Sequence, residues 1–271
     1  ARRGVSEESV TRFRLGYAPD EWEDSVGWAR SNRYDPDVVA RGGIIIKRDQ
    51  GEGYYDRFRG RLIFPIADEQ GRVVGFSGRI LNDEEKTAKY INSPETPLFT
   101  KGRIIYGLDK ARRPIADAGF SIVCEGQLDL IRCHVSGIEN VIAPQGTALT
   151  ADHGRILKRY ADEVVLCFDS DGAGQKAAVR SLEALAPIGL SIRVLNLPPP
   201  HDPDSFIREL GADALKEAVG QAPEYFEFLL TRLCRQNDPQ SDRGRRAVLQ
   251  EMNTALNTAN DAMLRDTWTR K

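Results

Sequence analysis

From Ser121 onward the sequence alternates short apolar runs with amphipathic stretches, and this alternation limits the possible fold more than any other feature. SIVCE leads into LDLIRCHVSG, NVIAP into TADHGRILKRYA, EVVLCF into AGQKAAVRSLEALA, and SIRVLNL into helical patterns from Asp204. Strand-length runs taking turns with helix-length segments predict a parallel sheet covered by helices. In such sheets ligands gather outside the carboxyl ends of the strands. The residues just after each apolar run are therefore the ones that carry chemistry.

Those residues are acids. Glu125 closes the first run, Asp169 follows the third with Asp171 just beyond it, and Asp202 and Asp204 lie in the loop LPPPHDPD after the fourth. Five carboxylates on one sheet edge repel one another strongly in a low dielectric unless cations sit among them. Hard divalent ions such as Mg2+ suit the position, because they take oxygen ligands and keep waters for substrate phosphates. For Asp202 and Asp204 the competing reading is helix capping ahead of SFIREL. Gly172 and Gly174 would let the backbone turn sharply into a helix whose first N–H groups face a phosphate, although a simple tight turn needs the same glycines.

Taken alone, FDSDGAG also resembles two other corners. An EF-hand loop counted from Asp169 would place Ala173 at position 5 and Arg180 at position 12, and a strand precedes it, so calcium is excluded. Haloacid-dehalogenase-like phosphatases place D-x-D-G-T early in the domain, with the first Asp as nucleophile. Here Ala173 replaces the threonine and the motif comes third in the series.

The upstream texture differs. Ser6 is expected to cap a helix running to Leu15, PDEWEDSVGWARS carries helical spacing, and DPDVVARGG ends at a glycine pair. RLIFPIADEQGRVVGFSGRIL reads as a hairpin turning near Gly71, and KYINSPETPLFTKG reads as a proline-punctuated loop. After Gln221 the chain is helical again, with PEYFEFLLTRL amphipathic and two more helices expected between Arg243 and Lys271.

Net charge is −2, but its distribution is uneven. Residues 54–113 hold twelve Lys/Arg against eight Asp/Glu, whereas residues 161–219 hold five against ten. A basic segment followed by an acidic one suits a site where metal neutralises the acids beside a surface that holds a polyanion. Two ordinary solvated faces would give the same counts. Cys124, Cys133, Cys167 and Cys234 form no C-x-x-C pair and read as reduced, mostly core, thiols; no zinc site is expected, the minority reading being one built with His134 or His153. No apolar run is long enough for a membrane span. The start ARRGVSEESV lacks a signal-peptide core, so the chain is expected to be cytoplasmic and a piece of a longer one.

The joint order of motifs is more specific than any of them singly. VCEGQLDLI followed by VVLCFDSDGAG resembles a TOPRIM domain, in which an E-G strand end precedes a D-x-D strand end. Within that superfamily, FRGRLIFPIADEQGRVVGFSGRIL, KYINSPETPLFTKGRIIYGLDKA and EGQLDLI resemble the bacterial replicative primases of the DnaG type, over about Gly4 to Leu233. The fold implied is α/β, or α+β overall: a TOPRIM-type parallel sheet flanked by helices, after a smaller basic α+β domain and before a helical tail. Expected boundaries are 1–115, 116–220 and 221–271.

The function implied by the resemblance is DNA-templated RNA polymerisation, starting chains de novo and making short primers for replication. The partners implied are a single-stranded DNA template, RNA primer and nucleoside triphosphates, with a replicative helicase engaged through regions outside this chain; no membrane is involved, and the setting is the nucleoid and replication fork. Glu125, Asp169 and Asp171 match the TOPRIM acids, with Asp169 as principal ligand, Asp171 its partner, and Glu125 either a ligand or a proton-transfer group. Asp129, Asp202 and Asp204 match further acids of the site, with two or more Mg2+ or Mn2+ ions implied. Arg79, Lys89, Asn92 and Lys101 match basic motifs that hold template, primer or nucleotide, with Arg61 a weaker match of the same kind. Gln127 departs from the family's usual aromatic, His201 stands at a position often charged, and the family's zinc-binding module has no counterpart here. A TOPRIM nuclease or topoisomerase, and a non-catalytic single-strand binder, are the alternatives.

Overall fold

A computed structural model of the chain describes residues 6–81, 87–168 and 172–258. The chain forms two compact units, Ala1–Asp109 and Lys110–Lys271.

The first unit opens with α1 (Glu7–Phe13), where the Ser6 hydroxyl accepts the Ser9 N–H at 3.1 Å and Glu7 and Glu8 sit at the positive end of the helix dipole. A short strand β1 (Gly16–Ala18) follows, then α2 (Asp24–Ser31) and α3 (Pro36–Arg41). The helix expected across PDEWEDSVGWARS covers only its second half. Asp56, 2% exposed and thirty residues downstream, fixes where it begins: its Oδ2 accepts the Ser25 N–H at 2.7 Å and its Oδ1 the Val26 N–H at 3.1 Å. A remote carboxylate thus performs the capping that a local side chain performs for α1.

Strands β2 (Ile45–Lys47) and β3 (Tyr54–Asp56) pair antiparallel with each other. The expected hairpin is β4 (Arg61–Ala67) and β5 (Val73–Ile80), with Gly71 at φ 84° in the turn and Asp68 Oδ1 accepting the N–H groups of Gln70 and Arg72. The segment read from sequence as a loop contains β6 (Tyr90–Asn92), and the antiparallel sheet runs β1-β4-β5-β6. Pairing along β5 overrides the proline punctuation, because Pro94 falls just beyond the last paired residue. A two-residue strand β7 (Ile105–Tyr106) ends this unit's strands.

Helix α4 (Leu108–Ala118) begins two residues before the second unit and stops at Gly119, whose φ of 78° lets its N–H return to the Ile115 carbonyl at 2.8 Å. Then β8 (Phe120–Cys124), α5 (Gln127–Val135), β9 (Val141–Pro144), α6 (Ala151–Leu157), β10 (Glu163–Phe168), α7 (Gly172–Leu185) and β11 (Ser191–Asn196) alternate as the sequence predicts. The strands lie parallel in the order β11-β10-β8-β9. Consecutive residues Ile122, Val123 and Cys124, and Val164 through Cys167, are all buried, so both faces of the central strands are covered. Helices α8 (Pro203–Leu210), α9 (Ala212–Gly220), α10 (Tyr225–Gln236) and α11 (Asp242–Thr258) complete the unit. Thus the described region after 220 holds α10 and α11; α11 is one of the two helices expected between Arg243 and Lys271, and residues 259–271, where the other would fall, lie outside the described residues.

Arg193 ties these later helices to the sheet. Its guanidinium pairs with Glu163 of the neighbouring strand at 2.6 Å and donates to the Val219 carbonyl at 2.8 Å, while the Val194 N–H reaches the Pro223 carbonyl. His153 and His134 are both used structurally. His153 completes a capping box with Thr150 at the start of α6, and His134 Nε2–H donates to the Val141 carbonyl at 2.8 Å. None of the four cysteines is in a disulfide. Hydrogen bonds with Cys133 and Cys167 hold the buried Cys124 thiol well above its ordinary pKa, and burial adds to the effect.

Candidate active site

Parallel strands deliver all their carboxyl ends to one edge, and Glu125 is the first of the residues singled out from sequence to arrive there. It follows Cys124 at the end of β8, is exposed, and lines a cavity of about 430 Å³ with Thr147, Leu149, Phe168, Arg180 and Ser181. The cross-strand register Cys167↔Cys124 places the last residue of β10, Phe168, level with this turn. Asp169 and Asp171, next in the chain, lie outside the described residues. Gly172 opens α7 and Gly174 falls in its first turn, the region that carries the positive end of a helix dipole.

The residue after Glu125 has a steric reason to be glycine. Gly126 is the N-cap of α5 with ordinary extended φ, so conformational freedom is not the issue. A Cβ there would lie 2.8 Å from Asp129 Oδ2. The Asp129 carboxylate folds back over the start of its own helix, where the dipole favours it, and a Cβ at position 126 would make that carboxylate shift. At the floor of the same edge Gln127 Nε2 donates to Gln145 Oε1 at 2.8 Å, joining the ends of β8 and β9 through two buried amides.

The acids after β11 have other partners. Asp202 is the N-cap of α8: its Oδ1 accepts the Ser205 N–H at 2.7 Å, and the Ser205 hydroxyl accepts the Asp202 N–H at 3.0 Å. Burial pushes the Asp202 carboxyl up, but the Ser205 bonds and the Arg208 charge outweigh it and hold the pKa below the ordinary value. Asp204, 7% exposed, accepts the Arg132 Nε–H at Oδ1 at 2.7 Å and pairs through Oδ2 with Arg208 at 3.2 Å. Both of its oxygens are thus engaged by guanidinium groups, and Arg132, on α5, is a residue that no sequence motif singled out. Among the described residues no group of three His, Cys, Asp or Glu side chains is close enough to hold a metal ion. Among the described acids of the set, Asp204 has both oxygens engaged by guanidinium groups, whereas Glu125 is exposed.

The basic residues belong to the first unit. Arg79 and Tyr90 are register partners on β5 and β6, with the guanidinium 5.8 Å from the ring centroid. Lys89, just before β6, is exposed, and Asn92 ends that strand. The Asn92 carbonyl accepts both Nε and Nη2 of Arg57, and the Lys101 N–H reaches Glu95. Arg61 is 7% exposed and donates to the carbonyls of Gly78, Ala88 and Lys89. The structure therefore uses Arg61 to strap β5 to the segment before β6.

Comparison with known proteins follows the same two-part division. Residues 1–112 match the family described as DNA primase catalytic core, N-terminal domain, and residues 122–207 match a Toprim-like family. The DNA primase of Synechococcus elongatus is 40% identical over 267 residues, which cover 94% of this chain and 38% of that protein. The chain therefore spans about two fifths of the length of such curated relatives. Among solved structures, the Escherichia coli primase catalytic core aligns with a TM-score of 0.85 and 36% identity, covering 98% of this chain and 85% of that one. A DnaG primase catalytic domain bound to single-stranded DNA aligns with a TM-score of 0.85 and 35% identity, covering 99% and 87%. Toprim domains and primases use divalent metal ions. No helix among the described residues is long and apolar enough to cross a membrane. With an E-G turn and a D-x-D segment following neighbouring strands, and agreement with primase catalytic cores along nearly its whole length, the chain belongs to the DnaG-type DNA primases.

Proposed function

We propose that this chain is the polymerising core of a primase, joining nucleoside triphosphates into short RNA primers on single-stranded DNA at the replication fork in the cytoplasm. The observation that carries the reading is Glu125 at the open carboxyl edge of the sheet, level in register with the strand that leads into Asp169. Glu125, Asp169 and Asp171 would hold two or more Mg2+ or Mn2+ ions. Bound there, such ions stabilise charge on an attacking 3′-hydroxyl and on departing pyrophosphate. Asp202 and Asp129 serve at this edge by presenting carboxylates held in place by a cap and by a helix start, and Asp204 serves as the ionic strut that fixes α8 on α5. Gly172 and Gly174 keep the start of α7 open to phosphate.

Template, primer and nucleotide phosphates are held by Arg79, Lys89 and Lys101, with Asn92 a polar contact and Arg61 supporting the strand behind them. A relative solved with single-stranded DNA supports a DNA strand as the partner. We place functional parts at 1–115, 116–220 and 221–271, and helicase contact outside this chain. The test is primer synthesis from the four ribonucleoside triphosphates on single-stranded DNA with Mg2+ or Mn2+. Asp169→Asn is expected to lower it at least a hundredfold without changing oligonucleotide binding. Undiminished synthesis in that variant overturns the site, and cleavage of plasmid without nucleotides or primers points to a TOPRIM nuclease instead.

A further inference from the structure

Carboxylates gathered on one edge need cations among them, and the second unit supplies one of its own. Arg132 stands on α5 three residues after Asp129, a spacing that makes the two side chains neighbours on the helix surface. It donates its Nε–H to Asp204 Oδ1 at 2.7 Å, in a pair whose side chains are only 17% and 11% exposed. Arg208 reaches the other oxygen from the next turn of α8, but its side chain is 49% exposed, so solvent weakens its hold. Arg132 is therefore the cation that Asp204 depends on. The pair also bridges the edge: α5 follows β8, α8 follows β11, and β10 lies between those strands in the sheet. Arg132 and Asp204 thus tie together the helices on either side of the strand that leads into Asp169. Asp202, two residues before Asp204, is held as the N-cap of the same α8.

A divalent ion on either Asp204 oxygen would have to enter a site that is 7% exposed and lie beside a guanidinium. Like charges so close repel, and Mg2+ gives up its waters reluctantly. The surroundings of Asp204 fit an arginine and not a metal. We infer that Arg132 stands in for a metal ion: its guanidinium neutralises Asp204, holds the α5 and α8 sides of the edge at a fixed spacing, and leaves divalent ions to the other acids. Arg132 is thus a positioning residue, acting on the reaction through the carboxylates it spaces. The reaction served rests on the polymerase reading above, whereas the charge balance rests on the Arg132–Asp204 pair.

The experiment counts ions rather than product. The full chain is titrated with Mn2+ in the absence of nucleotides, with free ion followed by electron paramagnetic resonance. Asp204→Asn is expected to bind as many Mn2+ ions as wild type. Arg132→Leu uncovers a buried carboxylate and is expected to bind a further ion, which Arg132→Leu/Asp204→Asn should lose again. Arg132→Lys keeps a cation and should keep the wild-type count. An arginine with a purely structural role would change the urea midpoint and leave the count alone. A wild-type count in folded Arg132→Leu overturns the inference, and so does an ion lost in Asp204→Asn, which would make Asp204 a ligand. Circular dichroism reports folding, and should Arg132→Leu not fold, the Asp204→Asn count decides. Primer synthesis is assayed in parallel: counts in the expected order from a chain that makes no primers would leave Arg132 in this role and remove the polymerase reading.

Discussion

At the scale of single residues, the E-G pair is a packing constraint as much as a chemical motif. Gly126→Ala forces a methyl group to 2.8 Å from Asp129 Oδ2, a distance that real Cβ contacts do not tolerate. The Asp129 side chain can rotate away, so the expected loss is modest, about 1–2 kcal/mol. Combining Gly126→Ala with Asp129→Ala should recover most of it, and a urea-denaturation double-mutant cycle measures the coupling. Additive losses would mean the clash lies elsewhere. Asp204 presents a different balance. Replacing it by Asn leaves Arg132 and Arg208 facing a neutral amide in a site that is 7% exposed, and breaking such a pair costs ~3 kcal/mol. The loss should appear in full in EDTA; a loss seen only with divalent metal would restore Asp204 to the ligand set.

At the scale of elements, local signals were legible and remote ones were not. Ser6, the β4–β5 turn and the strand–helix alternation depend on residues within a few positions of one another, and each could be read from its neighbours. The start of α2 depends on Asp56 and the role of Asp204 depends on Arg132, seventy-two residues away, so no spacing rule contains them. The β6 strand escaped because its pairing partner, not its own composition, decides its conformation. For α8 the cap reading of Asp202 was open from sequence, and the Ser205 bonds show it in use. Those bonds also give a pH signature. The Asp202 carboxyl is held below its ordinary pKa in the folded chain, so its charge contributes stability fully above the unfolded value of about 3.9. That contribution is lost as pH falls through the depressed folded pKa. Asp202→Asn keeps a neutral cap, and its stability gap from wild type, followed by urea midpoint in EDTA, should close on acidification below about pH 4. A gap that widens on acidification contradicts the assignment.

Across the whole molecule, a net charge of −2 conceals two opposite characters. The basic excess of residues 54–113 falls mainly in the first unit and the acidic excess of residues 161–219 in the second. Bulk charge therefore cannot drive binding to a polyanion, and affinity has to come from a few placed cations. Lys89 is exposed, and on the proposed function it is such a cation, whereas Arg61 is spent on backbone carbonyls. The distinction has a thermodynamic consequence. Each phosphate neutralised on a single strand contributes ~0.7 to the slope of log affinity against log salt. Lys89→Ala with Lys101→Ala should make that slope shallower by about 1.4 for an oligodeoxythymidine, as measured by fluorescence anisotropy between low and moderate salt. Arg61→Met should act otherwise, lowering thermal stability while leaving the slope of the remaining folded protein unchanged, because removing an internal strap releases no counterions. If instead Arg61→Met flattens the slope and the lysine pair does not, the polyanion is held by the buried face of the sheet, and the division between strap and contact is reversed.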